Sequence, residues 1–578
     1  MNETHKSEDN SSLLSPAMKV NHGSSDSHNS STHSGSQSSS NSGNSGPIKI
    51  SKYTEALINT WTSPPASPSV SPNRISVSQT VSFAAFLYEK MRNAVEFREE
   101  HLIRRAAIDR IIHRRMVLNE NGRDIAEPLI KELLWARYYE NNTIGEEKVS
   151  QLQSLIDKYF FLRNELGAGR SGKEQDKIAT FMTDALSCEI QDVLSPDPKR
   201  EAFINYAYQI LRPQISSQNF ESDWERDIQV YIAVEKTFAH SDASLIKYHL
   251  LKLMLPEITQ ITWKTADRVL PKLYDVFSVI EHQMDHPLVE KMRNTVKKHV
   301  APFLILRDVF DQNGSEIGHI LSNESELKYR VDEACRKRYD ESGQKLRRMG
   351  IRSFIYILLT KVFIALLLEI PYDLYVMKQI SYLPLIVNVI FPPALMALII
   401  FTVVVPGDDN TKRIFQLIKT IVTVNPESPM LENAAVVVGK KTRNKGSMSN
   451  MVFSFLYSLM YLISFGSIIY VLSLLDFNPV SQLIFIFFVT LVTFFAFRVI
   501  QVTQEYQVVV HDTILTPIVD FYFLPIIRVG QWLSGEVLTR FNVLMFVLDF
   551  IIEMPFKAIV EVFDEWIRFV RLKKDEIV

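Results

Sequence analysis

The chain has 578 residues, of which 63 are Lys or Arg and 65 are Asp or Glu, so its net charge at pH 7 is −2. This balance excludes a whole-chain electrostatic argument for nucleic-acid binding, and no nucleic-acid partner is predicted. The two cysteines, Cys188 and Cys335, are too few for a disulfide framework or a thiolate metal site, so both are expected to be free thiols.

Residues 1–78 are predicted to form a disordered tail. Sixteen of the first 50 residues are Ser, and Ser-Pro pairs follow at 63–64, 67–68 and 71–72. Such a segment buries too little apolar surface to offset the entropy of ordering. The N-terminus also lacks the basic, apolar and small-residue regions of a signal peptide, so membrane insertion is expected to depend on later segments.

Residues 79–350 are predicted to form a cytosolic domain of helices, arranged as a bundle or an array. Apolar residues recur at helical spacing from Phe83 onward, and no alternating run predicts a strand. The clearest helical patterns cover Leu129–Tyr139, Val149–Leu166, Ile178–Leu194 and Tyr231–Met254. A group of arginines near the end of the first helical pattern is expected to face anionic lipid, an acidic partner or solvent: Arg104, Arg105, Arg110, Arg114 and Arg115.

The segment from Gly167 to Lys173 has the GxxxxGK spacing of a phosphate-binding loop. Such a loop follows a strand and needs a hydroxyl side chain after the lysine to bind Mg²⁺. Here a helical pattern comes first, and Glu174 occupies the hydroxyl position, where its charge repels phosphate. The segment is therefore interpreted as a loop between helices, and no cofactor is predicted.

Residues 351–505 are predicted to form a transmembrane domain of four helices. Each of four apolar runs approaches or reaches the ~20 residues that cross a hydrocarbon core of ~30 Å. A segment inside that core must satisfy its own backbone hydrogen bonds, so the runs are expected to be helical. The runs cover residues 353–376, 382–405, 451–475 and 480–497.

The distribution of Lys and Arg around these runs predicts their orientation. Basic residues are concentrated before the first run, between the second and third, and in the C-terminal tail. The link between the first two runs has one lysine, Lys378, and the link between the last two has no basic residue. The positive-inside rule therefore predicts that both termini are cytoplasmic.

Residues 506–578 are predicted to contain broken or interfacial helices and a basic tail. The apolar segment 513–532 contains two prolines, an Asp and an Arg, which favours a broken, re-entrant or interfacial helix. Over 541–570, polar residues three, four or seven apart form a narrow stripe on an apolar helix. This pattern is typical of an amphipathic helix on the membrane surface, and a further pair of spans is the alternative.

The candidate functional residues lie inside the first two apolar runs. Lys361 and Glu369 are eight residues apart, about two helical turns. Ionisable groups at this depth often mark an ion pathway, although two side chains that reach toward opposite surfaces are the alternative. In the second run, Asn388, Pro392 and Pro393 predict a kink with free carbonyl groups.

The sequence contains no His or Cys spacing typical of zinc and no nucleophile elbow, so neither a metal site nor a catalytic site is predicted. The first hypothesis is a multi-pass membrane scaffold, not an enzyme, whose cytosolic helical domain binds a protein partner while the rest contacts the lipid bilayer. The alternative is a small homo-oligomeric transporter or channel with a cytosolic regulatory domain. A lipid-modifying enzyme is the third hypothesis, and it rests only on Asp520, Asp549 and Glu553.

Overall fold

The described part of the chain is mainly helical. The computed structural model describes residues 48–64, 73–78, 82–83, 86, 89–90, 100–118, 122–216, 219–378, 381–403, 405–424, 436–437, 447–509, 519–534, 562, 566 and 570. Within these ranges the strands are Ile215–Ser216 and Val436–Val437, which pair in parallel. The prediction of an all-α fold is confirmed for this part of the chain. Of the amphipathic helix predicted over 541–570, only three isolated positions are described.

The helices fall into two groups along the chain. Those before the apolar runs are α1 (Lys52–Thr62), α2 (Glu100–Leu118), α3 (Ala126–Trp135), α4 (Glu147–Gly167), α5 (Gly172–Leu194), α6 (Pro198–Leu211), α7 (Asp223–Phe238), α8 (Ala243–Met254), α9 (Leu270–Met284), α10 (Val289–Lys297), α11 (Val300–Asn313) and α12 (Ile317–Ser322). The remainder are α13 (Glu324–Ile364), α14 (Tyr382–Thr402), α15 (Asp408–Thr423), α16 (Ser447–Leu474), α17 (Pro479–Thr503) and α18 (519–534). Short 3-10 turns cover Arg212–Gln214, Pro256–Thr259, Trp263–Arg268, Gly314–Glu316 and Gln504–Tyr506.

Side-chain caps define where several of these helices begin. Asp197 accepts a hydrogen bond from the backbone N–H of Arg200 and precedes a proline at the first turn of α6. Asp242 accepts from the N–H of Leu245 at 3.0 Å and starts α8. This cap divides the single helix predicted over Tyr231–Met254 into α7 and α8, because a capping Asp satisfies N–H groups that have no partner in the first turn.

The helices before the apolar runs pack around two hydrophobic cores. The first core is formed mainly by α2–α5, α8 and α9, and the second by α1, α6, α11–α13 and α15. Helix α7 lies between them, since Ile228 and Ile232 belong to the first core whereas Val230 and Val234 belong to the second. We call this two-core assembly, with α15 and residues 504–509, the helical body.

Three segments predicted to lie outside the cytosolic domain belong to the helical body. Helix α1 falls within the predicted tail 1–78, yet its Leu57 and Trp61 are 2% and 4% exposed in the second core. The prediction of disorder is therefore wrong for residues 52–62, while 1–47 lie outside the described residues. Helix α15, between the second and third apolar runs, buries Ile414 and Ile418 in the same core.

The third segment follows α17 and is tied to α15 by one side chain. Asn410 donates to the carbonyl of Tyr506 at 2.8 Å and accepts from the N–H groups of Val508 and Val509 at 2.7 and 3.0 Å. It also donates to the hydroxyl of Tyr339 on α13 at 2.8 Å. Helix α13 itself runs through the predicted domain boundary at 350, so the body and the first apolar run share one helix.

Four helices are long and apolar enough to cross a membrane, as expected for a membrane protein. They cover Glu324–Met377, Tyr382–Phe401, Met451–Leu474 and Pro479–Gln501, which confirms the four predicted apolar runs. Glycines allow close helix packing: a Cβ atom at Gly350 would lie 2.7 Å from Ile400 Cδ1, and one at Gly530 would meet the Thr490 carbonyl. Within the segment predicted to be broken or re-entrant, residues 519–534 are helical, and the Ser464 hydroxyl donates to the Tyr522 carbonyl at 2.8 Å.

Candidate functional site

The charged residues of the first apolar run form an ion pair. Lys361 Nζ donates to Glu369 Oε1 at 3.2 Å, and the two side chains are 0% and 1% exposed. The ammonium also lies 4.4 Å from the centroid of the Phe488 ring on α17. The two side chains thus turn toward each other rather than toward opposite surfaces. Any role of the pair in an ion pathway stays a prediction.

The local backbone around Glu369 is not a regular α-helix. After α13 the chain forms a π-helix over Ala365–Glu369, one α turn over Ile370–Tyr372, and a second π-helix over Asp373–Met377. Pro371 gives the physical reason, because it has no N–H to donate to the carbonyl four residues earlier and its ring clashes there. Short π-helical segments are frequent at functional sites. Pro371 is a signal for this distortion that can be read from the sequence.

One oxygen of this pair and one side-chain oxygen of α14 have no hydrogen-bond partner among the described residues. They are Glu369 Oε2 and Asn388 Oδ1, and the Asn388 side chain is fully buried. The amide nitrogen of Asn388 reaches the Ser481 carbonyl only at 3.5 Å. A buried polar atom without a partner is uncommon in folded proteins and calls for a physical explanation.

Prolines free further oxygens on the same helix. Helix α14 continues through Pro392 and Pro393, which lie inside it. Neither proline has an N–H, so the backbone carbonyls of Asn388 and Val389 lose their usual donors four residues later. The predicted free carbonyl groups thus follow from covalent structure. They belong to the turn that carries Asn388, whose side-chain oxygen has no partner among the described residues.

Glu369 and Asn388 lie at similar depth. Glu369 is eight residues before the helical run ends at Met377, and Asn388 is six residues after α14 begins at Tyr382, so each lies about two helical turns from the link between the two helices. The π-helical turn that carries Glu369 packs against α14. Because a short link joins these two helix ends, the carboxylate and the amide face the same level of the bundle.

A second polar contact lies closer to that helix end. Asp373 is 5% exposed and accepts from Asn478 Nδ2 at 2.8 Å. The oxygen of the same amide accepts from the Ser481 N–H at 2.8 Å and caps α17. Polar side chains therefore extend from Lys361 to the first turn of α17. Asn478 and Ser481 were not predicted as site residues, although an Asn-Pro pair before an apolar run is a readable helix start signal.

The site offers a carboxylate, an amide oxygen and backbone carbonyls, which are hard oxygen ligands suited to a proton or a small metal cation. Lys361 already balances the charge of the Glu369 carboxylate through Oε1. A cation would therefore bind at Oε2 or replace the ammonium. In the described ranges, no three His, Cys, Asp or Glu side chains are grouped as a metal site. The chemistry that the geometry allows is therefore exchange of a single cation at Glu369.

The other segments that the sequence singled out are engaged in contacts within the body. The GxxxxGK segment is a loop between α4 and α5, and Glu174 accepts from the Tyr274 hydroxyl at 2.6 Å. Arg170 stacks 3.5 Å from the centre of the same ring. Of the predicted basic face, Arg105 is buried and pairs with Asp242 at 2.6 Å.

Comparison with known proteins finds no relative. No family model matches the chain, and neither a curated protein nor a solved structure resembles it significantly.

Proposed function

We propose that the protein is a multi-pass membrane protein that moves a cation across the membrane, with the helical body as its cytosolic regulatory domain. One observation carries the proposal: Glu369 Oε1 binds Lys361, whereas Oε2 has no partner in the described part of the chain. A buried ion pair stabilises a fold well only when its remaining hydrogen-bonding capacity is also used. An incompletely bonded carboxylate at this depth is better suited to taking up a cation.

The mechanism follows from charge balance. With Lys361 bound, the carboxylate of Glu369 is neutralised; a proton or metal cation at Glu369 makes the ammonium redundant and releases it. Lys361 lies on α13, whose other end packs Val331 and Tyr339 into the second core of the helical body. Cation binding would thereby change the interactions of α13, one end of which is packed in the helical body. Four helices are few for a complete pathway, so we propose a homo-oligomer.

The proposed orientation has both termini and the helical body in the cytoplasm. It is supported by the basic residues that flank the apolar runs. It is also supported by α15 and residues 506–509, which connect different apolar helices yet pack into one body. Both connections must lie on the same side of a membrane as that body.

The test is cation uptake into liposomes that contain the full chain. Gradients of protons, Na⁺ and K⁺ are imposed in turn, and uptake is followed with an ion-sensitive dye inside the liposomes. We expect uptake of one cation, and we expect Glu369→Gln to reduce it to the rate of protein-free liposomes, because a neutral amide has no charge for a cation to balance.

The matched control is Asp409→Asn. The Lys412–Asp409 pair has the same 3.2 Å separation as the membrane pair, but its side chains are 69% and 80% exposed. Removing this carboxylate should leave uptake unchanged. Wild-type liposomes that take up none of the three cations, or uptake that survives Glu369→Gln, would contradict the proposal.

A membrane scaffold is the second candidate function. The observation that favours it is the continuity of α13 with the helical body, which would hold a large partner-binding surface rigidly at the membrane. Deletion of the body is a poor test, because α15 would lose its core. Chemical cross-linking of the full chain in intact membranes is cleaner: a stoichiometric protein partner supports the scaffold, and its absence after efficient cross-linking counts against it.

A further inference from the structure

A polar groove lies at the seam between the two cores of the helical body. Its wide part, of about 320 Å³, lies between α6 and α8 with α7 at its floor. A narrower part, of about 60 Å³, continues toward α2 and the end of α5. Ile204, Glu201 and His249 line both parts, so we treat them as one site and call it the seam groove. Ligand sites are frequent at such boundaries between packed units.

The carboxylates that line the seam groove are already bonded. Glu235 is 1% exposed and accepts from the Ser241 hydroxyl at 2.6 Å and from His249 Nδ1 at 2.7 Å. Lys252 Nζ lies 3.2 Å from a carboxylate oxygen of Asp192 and 3.3 Å from one of Glu201. The remaining carboxylate, that of Asp197, caps α6. Each of these carboxylates therefore already has a donor within the fold.

The donors Arg200 and His249 have unused hydrogen-bonding capacity. Within the described ranges no carboxylate lies within 4 Å of the Arg200 guanidinium, whose only side-chain bonds are contacts of 3.5 and 3.3 Å to the Ala239 carbonyl and the Ser241 hydroxyl. Among the described residues, no hydrogen bond uses His249 Nε2. Although burial lowers the pKa of His249, the charge of Glu235 outweighs it and raises the pKa, which favours the form of the ring with a proton on both nitrogens.

The narrow part contains a buried histidine. Burial lowers the pKa of His101 to about 3; the charges of Arg200 and Arg104 contribute to the same shift, and those of Asp242 and Glu235 oppose it. His101 Nε2 and Gln191 Oε1 are buried there without partners in the described structure. A neutral imidazole and an amide can each present either a donor or an acceptor, so both groups can adapt to a ligand.

We propose that the seam groove binds a small organic anion. Its carboxylate or phosphate group is held by Arg200 and the Nε2–H of His249, and its apolar body lies in the wide part against Ile204, Tyr231 and Leu253. The inference does not depend on cation transport, since it concerns different residues in a different part of the fold. It identifies the site through which a metabolite would act on the helical body.

The test compares hexanoate with hexanamide, which share a shape and differ in charge. Binding to the purified full chain is measured by isothermal titration calorimetry, with hexyl phosphate and inorganic phosphate as further probes. We expect one of the two alkyl anions to bind at least tenfold more tightly than hexanamide and than inorganic phosphate. Arg200→Gln should weaken that anion at least tenfold and leave hexanamide unchanged.

Two further variants make the result decisive. Arg293→Gln removes a 44% exposed arginine on α10 and should bind as the wild type does. Leu253→Trp fills the wide part without changing charge and should abolish binding of the alkyl anion. Equal binding of hexanoate, hexyl phosphate and hexanamide, or anion binding that survives both Arg200→Gln and Leu253→Trp, would overturn the proposal. The unfolding midpoint of each variant identifies any that fails to fold.

Discussion

Two buried Lys–Glu pairs, one in the helical body and one among the apolar helices, are bonded very differently. In the body, Lys158 Nζ donates to both oxygens of Glu189 at 2.8 and 2.9 Å and to the Ile258 carbonyl at 2.9 Å. Tyr159 donates a further bond to Glu189 at 2.6 Å. Among the apolar helices, Lys361 makes one bond of 3.2 Å and Glu369 Oε2 makes none with the described residues.

This difference indicates what each pair contributes. All three ammonium protons of Lys158 have acceptors, so the body pair joins α4, α5 and the turn at Ile258 into one network whose members support each other. The membrane pair lacks this support although both of its side chains are just as buried. This contrast supports the proposal that the first pair serves stability and the second serves function.

The largest expected effect is on stability, from breaking the body pair. Lys158→Met leaves the carboxylate of Glu189 buried with no counter-ion, which typically costs about 3–5 kcal/mol. The free energy of unfolding of the full chain in detergent, from a denaturant titration, measures this. Lys412→Met, which removes an exposed lysine, is the control and should change it by less than about 1 kcal/mol. If the two variants are equally stable, the body pair is not a stabilising network.

Two buried asparagines, one in the helical body and one among the apolar helices, allow a second comparison with a smaller expected effect on stability. Asn410→Leu leaves the N–H groups of Val508 and Val509 without their acceptor, so we expect a loss of about 1–3 kcal/mol. Asn388→Leu removes only one bond of 3.5 Å and should be nearly neutral. The two variants are matched in residue type and burial, and the same denaturant titration applies. A larger loss for Asn388→Leu would show that the membrane site is a stabilising network after all.

The smallest expected effect is on the pH dependence of stability, and it concerns His101 in the helical body. Because the pKa of His101 is lowered to about 3 in the fold, the unfolded chain binds a proton between about pH 6.5 and 3 that the folded chain does not. His101 thus makes the body less stable as the pH falls from 7 to 5. His101→Gln should lose less stability over this range than the wild type, in thermal unfolding at both pH values. Equal losses would show that His101 protonates equally in both states.

Local patterns predicted the elements of the fold better than their packing. The all-α class and four apolar runs follow from residue spacing alone, but helix α1 was missed because Ser and Pro dominate the sequence around it. Its Leu57 and Trp61 are four residues apart after a capping Ser51, and this signal was readable. That α15 packs into the second core could not be read, because its partners on other helices lie between 71 and 368 residues away in the chain.

The candidate site was predicted in part for the same reason. Their position in an apolar run and their spacing identified Lys361 and Glu369 as candidates. The missing N–H groups of the two prolines predicted the free carbonyls next to Asn388. The unpartnered oxygens and the contact with Phe488 depend on how three helices meet, which one sequence does not specify. The seam groove was not predicted at all, since His249 and Arg200 are isolated in sequence and meet only through tertiary packing.

The most direct test replaces the whole membrane pair and measures stability and transport on the same preparation. In Lys361→Met/Glu369→Leu the two charges are exchanged for apolar side chains of similar size. We predict an unfolding free energy within about 1 kcal/mol of the wild type, or higher, because such replacements are often neutral or stabilising. Cation uptake into liposomes should fall to the rate without protein. A double variant that is strongly destabilised, or that still takes up the cation, would contradict the assignment of this pair to function.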